Sequence, residues 1–406
     1  MEHQANHGFL LENLMNNSSD SIYFKDLQSR FIKVNQACAD KHGWESPESV
    51  KGKSDFDTFT QEHAEQAFAD EQRIIKTGEP LDAVEEKETW PDGSVTWVST
   101  TKLPLRNEAG EIIGTFGMSR DITEHKEAEL RARRYADEIN NIKDEMENDV
   151  RMAGQLQKNF FPRTYPDYPE GAGQEASCVE FLHRFNLNRQ VTGDYCAIMR
   201  VSDHEAGIFL CDICGVGVRA ALGTALIRGI MQEISSLGND PGAYLARMNG
   251  LLLPLLHQEG LALDATACYL VFDVRTGMTR FANAGHSMPI HFQDGTAAQW
   301  LTEGCSQCVG DPLALKPEAA YATVERQLAP GDSVVLFTDG LYSVCNNVDD
   351  PLGKKRLLDA AHSLVGEPLA DIFDGLEGDA LAFSRNGCFS DDVCLVGFHY
   401  RKPMGG

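Results

Sequence analysis

The rhythm of apolar and polar positions divides the chain before any motif is considered. Residues 20–34, DSIYFKDLQSRFIKV, read as two short strands around a turn at Asp26–Ser29, and Asn35 then opens a helical stretch. Residues 92–118 alternate apolar and polar, with turns at Asp92–Gly93 and Asn107–Gly110. This pattern predicts a sheet of short antiparallel strands with helices between them. Residues 124–160 hold almost no helix breakers, and charge dominates. Their apolar positions are Ala132, Tyr135, Ile139, Ile142, Met146, Val150, Ala153, Leu156 and Phe160. Steps of three and four alternate until Met146–Val150, which is a heptad seam with a local slip. It predicts a coiled coil carrying a stutter, or else one amphipathic helix lying on the next domain. Pro162 and Pro166 end it.

Further on, apolar runs end in acids. Val334–Thr338 reads as a buried strand that runs straight into Asp339 and Gly340. Asp-Gly is a common turn pair; a carboxylate at the mouth of a core can also be a metal ligand. Asp194 opens a strand in QVTGDYCAIMRV. Asp212 closes the run AGIFLCDI, after which Gly215 and Gly217 make a turn and a helix begins near Arg219. Asp391 and Asp392 stand just before the final strand, in GCFSDDVCLVGFHY. Acids at strand ends are ordinarily solvated or capping. Together these four sites offer oxygen ligands only, which select hard ions, Mn²⁺ or Mg²⁺. Two such ions can bind a phosphate ester and activate a water for in-line attack. The residues thus point to phosphoryl hydrolysis.

Composition narrows the classes. The length of 406 residues suits two or three domains. A formal charge of -25 weighs against nucleic acid, which is bound by neutralising phosphates. No stretch approaches a membrane span, and the N-terminal MEHQANHGFLLENLMNN has no basic n-region, so no membrane contact and a cytoplasmic location are expected. Of eleven cysteines, two pairs have CxxC spacing: Cys211–Cys214 and Cys305–Cys308. A four-thiolate zinc site is disfavoured, because the gap between the pairs is long and Asp212 has its own use. The remaining thiols read as small buried hydrophobes.

From about residue 8 to 125 the chain resembles a PAS sensor domain. The resemblance runs in order through IYFKDLQSRFIKVNQA, GKSDFD, TGEP, DGSVTWVSTTKLPL and GEIIGTFGMSRDIT, and Asp121-Ile122-Thr123 looks like the family's exit into a following helix. The flavin-adduct cysteine motif is absent, since Cys38 lies in NQACADKH. His42 and His63 are formal haem candidates, but a lone histidine on a helix is ordinarily surface or satisfied core. The ligand stays unknown, and the plain reading is a dimerisation or relay module.

From about Val150 to Tyr400 the chain resembles the SpoIIE-type branch of the PPM (protein phosphatase 2C-like) serine/threonine phosphatases. The matching stretches are MAGQLQKNFFP, VTGDY, LCDICGVGVRAAL, ATACYLVFDVRTGMTRFANAGHSMPIHF, LAPGDSVVLFTDGLYSV and FSDDVCLV. The resemblance implies two antiparallel sheets between helices and a dimetal site at one edge. It places ligands on Asp194, Asp212, Asp339 and Asp391 and on the carbonyl of Ile213, with Asp392 the lesser of its pair. His286, in NAGHSMP, is a family hallmark whose role is either near the site or simply holding a turn. Two positions depart from the pattern: Val216 stands where histidine is common, and Ala197 where a second Asp is common. The expected protein is α+β: a PAS domain over 1–123, a coiled-coil linker over 124–162 and an α-β-β-α phosphatase sandwich over 163–402. Its expected function is that of a PAS-regulated phosphoserine/phosphothreonine phosphatase, homodimeric through linker and PAS domain. The resemblance implies a phosphorylated STAS-domain protein as substrate. A catalytically silent scaffold is the rival reading, and a PAS-linked nucleotidyl cyclase a remote third.

Overall fold

The computed structural model describes residues 7–188, 190–215, 217–258, 261–302 and 309–401. The chain divides into two compact units, Met1–Ile142 and Lys143–Gly406. The first unit opens with α1 (His7–Asn17), β1 (Ser21–Asp26), β2 (Phe31–Val34) and α2 (Gln36–Lys41). The turn between β1 and β2 forms where the sequence puts it. Asp26 Oδ1 accepts the N–H groups of Gln28 and Arg30, and Ser29 takes a φ of 58°. Asn35 caps α2 by accepting from the Cys38 N–H. Next come α3 (Gln61–Thr77), β3 (Leu81–Thr89), β4 (Val95–Arg106) and β5 (Ile112–Asp121). The five strands form one antiparallel sheet in the order β2-β1-β5-β4-β3. Tyr23, Phe31, Val34, Cys38, Ala39 and Val50 make its core.

That core encloses charge. Lys25 is 2% exposed, and its Nζ lies 2.5 Å from Asp55 Oδ2 and 2.6 Å from Glu71 Oε1. The Phe31 ring lies 4.4 Å from the same ammonium. The adjoining cavity is only about 40 Å³. Small-molecule sites run to about 300–1,000 Å³, so a haem between His42 and His63 has no room. His42 instead stacks on Trp44 with centroids 4.3 Å apart.

Helix α4 (Thr123–Gln157) runs from the first unit into the second. Asp121 accepts the Thr123 N–H at 2.8 Å at its start. The helix stops at Gln157, earlier than the prolines alone suggested, and Lys158–Phe160 tightens into a 3₁₀ turn. Phe161 is extended (φ -69°, ψ 153°), the conformation a following proline imposes. Tyr135, Ile139 and Met146 of the seam are 63%, 64% and 63% exposed, so nothing within the single chain covers them.

The second unit continues with β6 (Val179–Asn186), β7 (Asp194–Arg200), β8 (Glu205–Ile213), α5 (Val218–Glu233) and α6 (Pro241–Leu256). The short pair β9 (His257–Gln258) and β10 (Leu261–Ala262) precedes β11 (Ala265–Asp273), β12 (Met278–Ala284), β13 (Ile290–Gln293), β14 (Ala297–Trp300) and β15 (Val324–Gln327). The chain ends with β16 (Ser333–Phe337), α7 (Gly353–His362), α8 (Leu369–Phe383) and β17 (Val393–Tyr400). Two five-stranded antiparallel sheets result, ordered β15-β12-β11-β8-β7 and β14-β13-β16-β17-β6.

The sheets pack face to face, and helices cover both outer faces. On β8, Ile208 and Leu210 enter the core between the sheets, whereas Phe209, Cys211 and Ile213 pack beneath α5 and α6. On β16, Val334 and Leu336 point between the sheets, and Val335 and Phe337 point to α7 and α8. Both faces of each central strand are therefore dry, which is why these strands read as unbroken apolar runs. The expected four-layer sandwich is present.

Candidate metal centre

The strand ends converge at one edge of this sandwich. Asp194 at the start of β7 and Asp212 near the end of β8 are directly paired residues in adjacent antiparallel strands. Gly193 makes the approach possible: a Cβ there would lie 2.6 Å from the Ile213 carbonyl oxygen and 3.2 Å from Asp212 Oδ1. From the other sheet, β16 delivers Asp339 on a 3₁₀ turn, Asp339–Leu341. Gly340 lets that turn touch the segment before β17, because a Cβ there would stand 2.0 Å from the Asp392 carbonyl oxygen. Asp194, Asp212, Ile213, Asp339, Asp391 and Asp392 thus line one cavity of about 280 Å³.

Thr338 ties the two sheets together at this edge. Its hydroxyl donates to Asp194 Oδ2 at 2.8 Å and accepts the Cys394 N–H at 2.9 Å. The Asp194 N–H donates to Thr192 Oγ1 at 2.9 Å. Asp392 Oδ1 accepts the Asn188 N–H at 2.6 Å, so that carboxylate is engaged in holding the loop before β7. Asp391 Oδ1 in turn accepts the Asp392 N–H at 2.9 Å.

Among the described residues, no cationic side chain lines the cavity. Burial, then the charge of Asp212, pushes the Asp194 carboxyl well above the usual range. Burial and Asp339 push Asp212 up to about 6, and burial and Asp391 raise Asp339. Carboxylates crowded in a low-dielectric site resist ionisation unless a cation joins them. Among the described residues, no three His, Cys, Asp or Glu side chains close tightly enough to enclose a single ion. The acids stand around the cavity rather than meeting at a point. An all-oxygen set of acids around a cavity of this size fits hard divalent ions.

The other sequence candidates lie elsewhere. His286 is buried beside the cavity, not in its lining. Its Nδ1 lies 2.8 Å from Thr266 Oγ1, and Thr266 is the β11 partner of Asp212. The Asn283 side chain accepts its N–H at 2.7 Å and donates to its carbonyl at 3.0 Å, so Asn283 holds the turn at His286 through the backbone. Cys211 is fully buried beneath α5, and Cys214 is exposed at the cavity rim. The two thiols therefore do not form half of a zinc site, and Cys305 and Cys308 lie outside the described residues. Val216 lies outside them as well. Ala197 packs at the edge of the core under α5. Sequence reading missed Thr338, Asn188 and Gln157. Thr338, at the end of the Val334–Thr338 run, and Gln157, inside LQKNFFP, lay in stretches that drew attention, but for other reasons.

Comparison with known proteins agrees with this geometry. Residues 202–401 match the family described as stage II sporulation protein E, and residues 15–127 match a PAS fold. The chain is 24% identical over 219 residues to phosphoserine phosphatase RsbP of Bacillus subtilis, covering 54% of this chain and 51% of that protein. It is 20% identical over 308 residues to protein IcfG of Synechocystis, covering 70% of this chain and 45% of the other. It thus spans about half the length of these relatives. The SiaA-PP2C domain of Pseudomonas aeruginosa superposes with a TM-score of 0.52 at 20% identity, over 64% of this chain and 98% of that domain. That likeness establishes the PP2C fold. The chain accordingly joins an N-terminal segment that matches a PAS fold to a C-terminal segment that matches the SpoIIE family and is built as a PP2C sandwich.

Proposed function

We propose that this protein is a phosphoserine/phosphothreonine protein phosphatase that works with two Mn²⁺ or Mg²⁺ ions and is controlled by its PAS domain. One observation carries the reading: Asp194, Asp212, Asp339 and Asp391 reach a single cavity from two different sheets. The relatives named phosphoserine phosphatase, RsbP and RsbU of Bacillus subtilis, support the reaction class. The proposed substrate is the phosphorylated form of a small STAS-domain protein that switches between partners.

Asp194, Asp212, Asp339 and Asp391, with the Ile213 carbonyl, would hold the ions. When bound, they would supply an activated water and neutralise the phosphoryl oxygens. The protein's own part is placement. Thr338 fixes the rotamer of Asp194. The β7–β8 pairing fixes Asp212 opposite it. The close approach at Gly340 fixes the spacing of Asp339 from Asp391–Asp392.

Control would run through α4. Its seam leaves Tyr135, Ile139, Ile142 and Met146 over half exposed. Full burial of such side chains is worth roughly 1.5–3 kcal/mol each, which supports pairing of two chains through the linker, with the PAS domain contributing.

A phosphoserine-peptide assay with and without Mn²⁺ tests the reading. Turnover should require the metal and should vanish in Asp339→Asn. A folded wild-type protein that binds phosphopeptide but never releases phosphate would instead identify a silent scaffold.

A further inference from the structure

A phosphate monoester entering a cavity lined by five aspartates meets like charge on every side. Among the described residues, no Lys or Arg lines that cavity. The loop that follows Asp339, however, brings a cation back beside the turn that carries it. The Tyr342 N–H donates to the Asp339 carbonyl at 3.0 Å, and the Gly353 N–H donates to the Tyr342 carbonyl at 2.9 Å. Leu352 N–H to Val344 carbonyl, also 2.9 Å, closes the loop further. Helix α7 therefore starts beside the turn that carries Asp339.

Lys354 is the second residue of that helix. Its Nζ stands 5.4 Å from the centroid of the Tyr342 ring, and the Tyr342 hydroxyl lies 3.0 Å from Ser287 Oγ next to His286. Nearby Arg356 is engaged by Asp350 at 2.9 Å. Lys354 is exposed and, among the described residues, has no carboxylate within 4.0 Å. The ammonium thus stands over the Tyr342 ring, three residues from Asp339, and among the described residues is committed to no acid. A lysine carries three rotatable donors on a flexible stem, so it can leave the ring and reach an anion.

We propose that Lys354 receives the phosphoryl group of the incoming phosphoserine and sets the affinity for phosphorylated substrate, without holding metal. This deepens the phosphatase reading and rests on it. The positive charge adds to whatever neutralisation the bound ions provide, and it acts before chemistry as well as during it. Its removal should therefore be seen in KM more than in kcat.

The test compares Lys354→Ala, Lys354→Arg and Lys354→Glu in the full chain with saturating Mn²⁺. Lys354→Ala should raise KM for a phosphoserine peptide by about tenfold, and the inhibition constant of inorganic phosphate by a similar factor. The kcat and the Mn²⁺ half-saturation should change by less than about twofold. Lys354→Arg should restore most of the affinity, and Lys354→Glu should be worse than Lys354→Ala. Unchanged KM and unchanged phosphate inhibition in Lys354→Ala would overturn the assignment. So would a loss that Lys354→Arg fails to rescue. If the wild-type protein shows no turnover, the phosphatase reading fails, and calorimetric titration of the Mn²⁺-loaded protein with inorganic phosphate decides Lys354 alone. Weaker binding by Lys354→Ala than by wild type would support the assignment. Equal binding, or no binding by either, would overturn it.

Discussion

The side chain of Gln157 grips the backbone of Thr192 at both polar groups. Its Nε2 donates to the Thr192 carbonyl at 2.7 Å, and its Oε1 accepts the Thr192 N–H at 3.0 Å. Nε2 also donates to Thr224 Oγ1 on α5 at 2.9 Å. Gln157 is 5% exposed, and one helical turn earlier Gly154 packs so closely that a Cβ would stand 2.0 Å from the Gln190 carbonyl oxygen. Thr192 in turn binds the Asp194 N–H. The last residue of α4 is thereby two contacts from a candidate metal ligand.

Gln157→Ala should loosen that ligand. It leaves the Thr192 N–H and carbonyl buried without partners, at about 1–3 kcal/mol for each group. The expected outcome is a lower melting temperature of the C-terminal unit and a several-fold higher Mn²⁺ requirement. A titration of activity against Mn²⁺ checks this, and an unchanged half-saturation would show that α4 does not position Asp194.

Asp194→Asn and Asp339→Asn should each abolish metal-dependent turnover, and the double variant should be no worse than either single one, because the two serve one site. Without metal, both variants should melt at or above the wild-type temperature near neutral pH. Burial and neighbouring acids raise both carboxyl groups, so the ionised forms oppose folding, and asparagine removes that repulsion. Differential scanning calorimetry of the metal-free proteins gives the sign directly.

His42 should make the N-terminal unit acid-sensitive. Burial lowers its pKa from 6.5 to about 4. The unfolded chain therefore binds a proton that the folded one refuses. Stability from this group is complete above pH 6.5, falls between 6.5 and 4, and is gone below, at about 1.4 kcal/mol per pKa unit. Following unfolding of this unit by fluorescence of Trp44 and Trp90 across that window should show the loss. His42→Gln should flatten it, whatever its effect on stability at neutral pH.

The register of α4 should matter more than its length. Each added residue turns a helix by about 100°, whereas seven nearly restore the heptad phase. Two residues inserted after Lys143 should uncouple phosphatase activity from the PAS signal, and seven should largely preserve control. Equal activity in both insertions and wild type, basal and stimulated, would make the helix a passive tether.

Much of this protein was legible along the chain. The β1–β2 turn at Asp26, the cap at Asn35, the α4 seam and the strand ends at Asp194, Asp212, Asp339 and Asp391 are local matters, set by turn chemistry and by hydrophobic period. Sequence order and motif spelling also carried the PAS and SpoIIE likeness. Other features depend on residues far apart in the chain and became visible only in the folded sandwich. The Thr338 hydroxyl reaches Asp194 because β16 and β7 belong to facing sheets. The ammonium of Lys25 lies between acids from two later segments, which a lysine in a strand pattern does not announce. Gln157 looks like an ordinary polar residue at the end of a charged helix until the loop before β7 is laid against it. A side chain's local pattern shows which face it occupies; what it binds there is decided by which distant backbone the fold brings within about 3 Å.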